Sequence, residues 1–317
     1  MDISKCTVIV PGSSANIGSG FDVFGLAVSI YAYFSFRERR GKVIEYFGVG
    51  PKPEEDESNI VFVSFSRMLK EFKENIPTNL SIWVKNHIPI KRGLGSSSSA
   101  IVGGLTLGYL YLLSKGKIKG ELEDFKVAKE KLILPLAVEI EKHPDNVTPA
   151  VIGGFSICNL DSNNKFDRID FPEDIKLVFV IPEFEVSTEV ARKVLPKVYS
   201  LEEVVRNLKY AVSLITGVMK RRYDLIKIGL RDELHQKYRK HLYRGFEKLL
   251  EIEENEFETH YIGSFVSGSG PTFCLMFLGV PKLNDLLRIR SFLSKETTID
   301  YDIQILSVDN LGVRIIL

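Results

Sequence analysis

The 317-residue chain reads as an α+β protein of two domains, and three observations lead there. Its length exceeds what a single hydrophobic core fills, so two units of about 150 residues are expected. Strand-like alternation and helical spacing of apolar residues occur in both halves, which suits two layers per domain. No internal repeat or low-complexity tract points to a solenoid or array. The polar run Asp161 to Asp167 is the natural divide, giving residues 1–165 and 166–317.

Taken in order, Cys6 to Val10 and Val28 to Phe36 alternate as strands, with the glycine-containing stretch Asn16 to Gly25 as the loop between them. Gly48 to Pro53 is a surface turn, Ile60 to Phe72 has helical spacing, and Leu80 to Val84 alternates as a strand. Helix-length patterns follow at Ser97 to Leu113 and at Leu122 to Glu141, the second kinked or broken at Pro135. His143-Pro144 ends that segment, and Gly153-Gly154 opens a strand over Phe155 to Leu160. In the second half a strand is expected at Lys176 to Ile181, with helices near Ser187 to Leu195, Leu201 to Lys220 and Arg231 to Leu250. The chain then reads strand, helix, strand, strand at Phe273 to Phe277, Lys282 to Leu293, Tyr301 to Val308 and Val313 to Leu317.

Lys plus Arg (42) nearly cancels Asp plus Glu (41), so no charge excess calls for nucleic acid or a membrane surface. The longest apolar stretch, Ala100 to Leu113, falls short of the roughly 20 residues that span a bilayer. The N-terminus has no export-signal pattern, and a cytoplasmic location is expected. Cys6, Cys158 and Cys274 sit in separate apolar contexts and read as buried thiols, neither a disulfide frame nor a metal site.

Chemistry is concentrated in three Gly/Ser-rich segments. The central one runs Pro89-Ile-Lys-Arg-Gly-Leu-Gly-Ser-Ser-Ser-Ser99 into an apolar helix. Its glycines permit a tight turn and close approach to a ligand, and its serines begin a helix whose unpaired amides favour a multiply charged anion. It has neither the Lys-Ser/Thr ending of a P-loop nor the third glycine of the dinucleotide fingerprint. The other two segments are Pro11-Gly-Ser-Ser-Ala-Asn-Ile-Gly-Ser-Gly-Phe-Asp-Val-Phe-Gly25 and Val266-Ser-Gly-Ser-Gly-Pro-Thr272.

In this order and at these distances the three segments resemble the GHMP kinases, and together with His143-Pro-Asp-Asn-Val-Thr-Pro-Ala-Val-Ile-Gly-Gly154 they are most similar to the homoserine kinase branch. The resemblance spans Pro11 to Thr272. It implies an N-terminal domain like domain 2 of ribosomal protein S5, with a left-handed βαβ unit, a ferredoxin-like C-terminal domain, and a site in the cleft between them. It also implies a homodimer, ATP and Mg²⁺ as cofactors, and the phosphorylation of homoserine, a small-molecule substrate, on the way to threonine. Lys91-Arg92 and Ser98-Ser99 depart from the usual pattern, in which uncharged residues and alanines are common.

The same resemblance distributes roles. Nucleotide contacts fall to Pro89, Ile90, Lys91, Arg92, Gly93, Leu94, Gly95, Ser96, Ser97, Ser98 and Ser99, with Asn59 near adenine. Mg²⁺ is expected on Ser97 and a helix carboxylate, Glu139 with Glu141 as its competitor, since hard oxygen donors suit that ion. Asn16, Asp22, His143, Asn146, Arg192 and Arg239 are the expected substrate residues. The arginines take the substrate carboxylate, for which a planar guanidinium fork is suited, and Asp22 takes the ammonium. Asn146 and Thr188 orient the acceptor hydroxyl, and Asp145 orders its turn by capping, although it is the one carboxylate of the acceptor motif that could serve as a base. Another GHMP kinase acting on shikimate or a mevalonate derivative, and a non-catalytic ligand sensor of the same fold, are the competing readings. RNA binding rests on fold analogy alone.

Overall fold

The computed structural model describes residues 2–38, 43–118, 124–158 and 165–317. Its first half contains β1 (Thr7–Ala15), β2 (Phe24–Glu38), β3 (Ile44–Gly48), α1 (Ile60–Glu71), β4 (Leu80–Asn86) and α2 (Ser96–Ser114). There follow α3 (Phe125–Ala128), α4 (Leu134–Glu141), α5 (Pro144–Ile152), β5 (Phe155–Ile157) and β6 (Asp167–Ile169). The second half contains β7 (Ile175–Pro182), α6 (Thr188–Lys193), α7 (Leu201–Lys220), α8 (Tyr223–Gly229) and α9 (Gln236–Arg239). It closes with β8 (Tyr261–Val266), β9 (Phe273–Leu278), α10 (Leu283–Glu296), β10 (Tyr301–Leu306) and β11 (Arg314–Ile316).

Among the described residues these strands make two sheets. One has the path β11-β1-β2-β4-β3, with β5 on β2 and β6 on β5. All its pairs are antiparallel except β3 with β4, which α1 joins as a crossover. The other is fully antiparallel in the order β10-β7-β9-β8, which together with its β-α-β-β-α-β course is the ferredoxin-like arrangement. The expected division at 165/166 does not follow the sheets. β6 pairs with β5, and β11 returns to the edge of β1 with Thr7 opposite Ile316, so both late strands belong to the first sheet. The expected helix start at Leu122 and the polar run from Asp161 to Asn164 lie outside the described residues, as does the end of the expected strand at Leu160.

Helix α2 is apolar on all sides and sits in the core, where Leu105, Leu107, Leu110 and Leu112 have no solvent exposure. It alone among the described helices is long and apolar enough to cross a bilayer, yet 72% of that stretch is buried within the fold. Close approach to α1 is possible because position 104 lacks a side chain: a Cβ at Gly104 would stand 2.2 Å from the Val61 carbonyl oxygen. Burying this helix sets the phosphate-loop serines at its first turn against β1.

Several expected elements change at their ends for identifiable reasons. The kink before Pro135 takes the form of a π turn over Lys129–Ile133, in which the Leu134 N–H reaches the Lys129 carbonyl. Pro144 does not simply end a segment. It is the first residue of α5, where its missing N–H costs nothing. The expected helix over Arg231 to Leu250 is broken into α9 and short 3₁₀ turns at Lys240–Leu242 and Phe246–Leu250, because Arg244 and Gly245 both take positive φ. The three thiols are buried and unpaired.

Gly104→Ala is expected to destabilise the fold by about 1–3 kcal/mol, the usual cost of overpacking a core. Urea unfolding measures it, and an unchanged midpoint would show that α1 can move away freely.

Candidate active site

Hydrogen bonds bring the three Gly/Ser segments into one cluster. The Ser13 N–H donates to the Leu94 carbonyl at 3.1 Å, and the Gly268 N–H donates to the Ala15 carbonyl at 3.0 Å. The Ser267 hydroxyl donates to the Gly93 carbonyl. Its proton being used there, Ser14 must be the donor in the 2.7 Å contact between the two serine hydroxyls. Two positions in this cluster admit only glycine. Gly95 has φ 69° and a Cβ there would fall 2.0 Å from Ser13 Oγ, while Gly93 has φ 79° and would meet the Ser267 carbonyl at 2.3 Å.

Gly95 is also the N-cap of α2, and no side chain caps that helix and no acidic residue lies in its first turn. The free amides of the first turn open into a cleft of about 690 Å³. Ile90, Lys91, Arg92, Gly93, Leu94, Gly95 and the serines 96–99 line it, as does Asn59, whereas Pro89 is not among its lining residues. Asn59 is already engaged as the N-cap of α1, accepting from Val61 N–H and donating to the Glu54 carbonyl. Lys91 and Arg92 reach Glu185, on the stretch between β7 and α6, at 3.6 and 3.5 Å. The two basic residues that departed from the family pattern thus tie the loop to the second half of the chain.

The same cleft is lined by Asn16, Asp22, His143, Asp145, Asn146, Thr188, Arg192 and Arg239. Asp22 and Arg192 form a bidentate pair at 2.7 and 2.9 Å, the geometry in which a guanidinium fork is strongest. That pair holds the Arg192 guanidinium above its ordinary range. Asn16, at φ 72°, accepts from the Asp22 N–H and donates to the Gly268 carbonyl, so one side chain joins the N-terminal Gly/Ser segment to the one at 266–272. Arg239 is 2% exposed. It donates to the Ala191 and Gly268 carbonyls, and burial pulls its guanidinium below the usual value.

Both arginines stand over the ring of Phe21, at 5.6 and 5.3 Å. His235 stacks on the same ring. It is fully buried and burial lowers its pKa, so the neutral ring donates from Nε2 to the Gly18 carbonyl and accepts at Nδ1 from Arg239. Phe21 and the positioning part of His235 are not visible as such in the sequence; the only signal is their place beside Asp22 and four residues before Arg239.

Two expectations change on the acceptor side. Glu139 is 61% exposed and held by Arg67 at 3.0 Å, away from the cleft. Glu141 instead accepts from the Ser97 hydroxyl at 3.2 Å and lines the cleft. Two residues apart on one helix means opposite faces, about 200° around the axis, so only one of the two could meet Ser97. Burial raises the Glu141 carboxyl, partly offset by that hydroxyl. The capping role expected of Asp145 is not seen either. His143 occupies the N-cap of α5, Asn146 accepts from Ser13 at 3.0 Å, and Asp145 Oδ1 is buried with no hydrogen-bond partner. Burial, reinforced by the nearby Asp22 charge, raises Asp145 to about 7. His143 is lowered by burial and by Arg192, whose Nη2 lies 3.4 Å from its Nδ1. Thr188 is the first residue of α6, and Ser187 caps that helix.

The GHMP kinases N terminal domain family matches residues 59–154. The homoserine kinase of Aquifex aeolicus is 37% identical over 96% of this chain and 98% of its own length. That of Clostridium beijerinckii is 36% identical, with 98% of both chains covered. The chain belongs to the homoserine kinase family. Among solved structures, homoserine kinase from Cytophaga hutchinsonii superposes with a TM-score of 0.80 at 25% identity, over 100% of this chain and 99% of that one. A mevalonate kinase from Methanococcus jannaschii, at 16% identity and a TM-score of 0.64 over 95% and 98% of the two chains, shares the fold. Both of the sheets described above are therefore those of a GHMP kinase, and the homoserine kinase motifs converge on a single cleft.

The Asp145 carboxyl has a consequence for stability with a definite sign. It loses its proton near pH 4 when unfolded and near 7 when folded. Its contribution is therefore fully present below about pH 4 and is lost at about 1.4 kcal/mol per pH unit as pH rises toward 7. Asp145→Asn is expected to remove that loss, so the variant's stability relative to the parent rises from pH 4 to 7. Parallel urea titrations measure it, and a constant difference between the two proteins would mean that the carboxyl titrates normally.

Proposed function

We propose that this chain transfers the γ-phosphoryl group of ATP to the side-chain hydroxyl of L-homoserine, giving ADP and O-phospho-L-homoserine in threonine biosynthesis. One observation carries the reading: an uncapped helix N-terminus, fit for phosphate, shares a cleft with a carboxylate and two arginines fit for a zwitterion. Asp22 and Arg192 now satisfy each other. A substrate bearing both an ammonium and a carboxylate can take the place of each partner for the other, so charge need not be left unpaired when the pair opens. Arg239 supports the same carboxylate from its buried seat. Mevalonate, which has no ammonium, would leave Asp22 without a partner.

Phosphoryl transfer asks for alignment and charge neutralisation more than for covalent help. The bond from the homoserine oxygen to phosphorus forms as the bond to the β-phosphate oxygen breaks, and the hydroxyl proton leaves late, to the phosphate. Asn146 and Thr188 orient the hydroxyl, and His143 borders it. The first-turn amides of α2, with Lys91 and Arg92, receive the polyphosphate. Ser97 and Glu141 would hold Mg²⁺, which supplies further charge neutralisation. The fit rests on a hydroxyl and a half-buried carboxylate already at 3.2 Å, both hard oxygen donors. In this reading the substrate is a small molecule, nucleic acid and membrane have no part, and the chain works as a cytoplasmic homodimer.

A coupled ADP-release assay across homoserine, mevalonate, shikimate and galactose tests the substrate. Homoserine should be fastest, and a faster rate with any other would overturn the proposal. Glu141→Gln should lower turnover and raise the Mg²⁺ requirement, while Glu139→Gln behaves as the parent; the reverse pattern would return the metal to Glu139.

A base at Asp145 is the second reading, favoured by its unpaired Oδ1 and a pKa of about 7. General-base help is worth roughly 10²- to 10⁴-fold, whereas a late proton transfer to phosphate needs none. Asp145→Asn is expected to cost less than about tenfold in turnover. A thousandfold loss with homoserine binding intact, in the middle of the general-base range, would make Asp145 the base.

A further inference from the structure

The stretch between β7 and α6 sets a carboxylate against the phosphate loop. Glu185 stands 3.6 Å from Lys91 Nζ and 3.5 Å from Arg92 Nη1, so one anion faces two cations. The contact to Lys91 is longer than a hydrogen bond, and Arg92 Nη1 is buried with no hydrogen-bond partner. The carboxylate thus supplies charge without bonds, and the guanidinium still has an acceptor to gain. The neighbours of Glu185 fix where it stands. Phe184 packs on the second core against Phe246, with ring centroids 6.0 Å apart, and Val186 is buried at the cleft wall. Between these two anchors the Glu185 side chain is 39% exposed. It can swing away from the loop without moving the chain.

We propose that Glu185 stands in for nucleotide phosphate: it neutralises Lys91 and Arg92 when no nucleotide is bound, and yields both cations to the polyphosphate. The inference rests on the reading above in which these two residues receive the polyphosphate. Phosphate oxygens can bring the acceptor that Arg92 Nη1 lacks, and their charge repels the displaced carboxylate. Cations held by Glu185 are unavailable to the nucleotide, so its apparent affinity falls by the fraction of molecules in which the contact is open. The contact re-forms as ADP leaves, which spares the loop two unpaired cations. Asp22 does the same for Arg192 in the acceptor half of the cleft.

Calorimetric titration of the full chain with AMP, ADP and a non-hydrolysable ATP analogue, in chelator at low salt, tests the assignment. Glu185→Gln keeps the size of a half-exposed side chain and should melt with the parent. It should bind ADP about three- to tenfold more tightly, the scale of removing one partly screened like charge. The gain should be smaller for AMP, larger for the ATP analogue, and should shrink at about 0.5 M salt. Glu183→Gln removes the same charge two residues away, from an exposed side chain that has no ion pair among the described residues. It should stay within about twofold of the parent. A Glu185→Gln variant that binds ADP like the parent, or more weakly, would overturn the stand-in while sparing the loop as a nucleotide site. An equal gain in Glu183→Gln would reduce the effect to general charge and overturn it too. A parent that binds no nucleotide would overturn the reading of the loop and this inference with it.

Discussion

The cleft depends on one contact, the meeting of residues 13–16, 93–95 and 267–270 at backbone distance. Each segment ends a different part of the chain: β1 in the first sheet, the approach to α2, and the turn between β8 and β9 in the second sheet. Their hydrogen bonds run largely from main chain or serine to main chain, so they fix backbone position and leave larger side chains free to face the ligand. That closeness explains the composition. A Cβ at Gly95 would collide with Ser13, and one at Gly93 with the Ser267 carbonyl. A loop that must touch two others and still present its amides has no room for side chains of its own.

Charge in the cleft is organised by burial. Arg239 is held by two carbonyls and a neutral histidine, and it has no carboxylate at hydrogen-bond distance among the described residues. Such a guanidinium pays the desolvation cost without full compensation, and an arriving carboxylate recovers it. Arg192 is the opposite case, already paired, and it can exchange Asp22 for a ligand only if the ligand also brings a cation. Phe21 carries both arginines and His235 on its faces. One apolar ring therefore spaces two like charges, which makes the residue between Gly20 and Asp22 part of the proposed recognition geometry although it has no polar atom.

Much of this was legible in the sequence, and what was not has a common cause. Most of the strands and the two long helices α2 and α7 follow from periodicity, whereas β3, β6 and β8 carried no expectation, and the glycine and serine segments announce the cleft because few other roles need them together. Pairing across the chain was not legible: β11 returning to β1, Glu185 meeting Lys91 and Arg92, and Ser97 meeting Glu141 are long-range facts with no local pattern. Glu139 and Glu141 show the limit most plainly, since a motif can name the helix but its rotation about the axis decides which carboxylate faces inward. Asp145 shows another. Position in the first turn of a helix favours a capping carboxylate, yet the turn is entered through His143 and Pro144, which leaves the carboxyl buried.

Helix α7 supports the cleft without lining it. Asn207 of α7 donates to the Ser19 carbonyl at 2.9 Å and accepts from the Glu233 N–H, so it grips the loop before Asp22 and the stretch leading to His235 and Arg239. Arg206, beside it, reaches Glu233 at 3.0 Å. Two of the three segments of the proposed zwitterion site, those of Asp22 and Arg239, are thus fastened to the inner face of α7, while Leu201, Leu208, Val212 and Met219 on its outer side are exposed. A solvent-facing helix with this much apolar surface is held only from one side. The support on which Phe21, Asp22 and Arg239 are mounted is therefore remote from the cleft, and it acts on the same geometry that the three loops set from within.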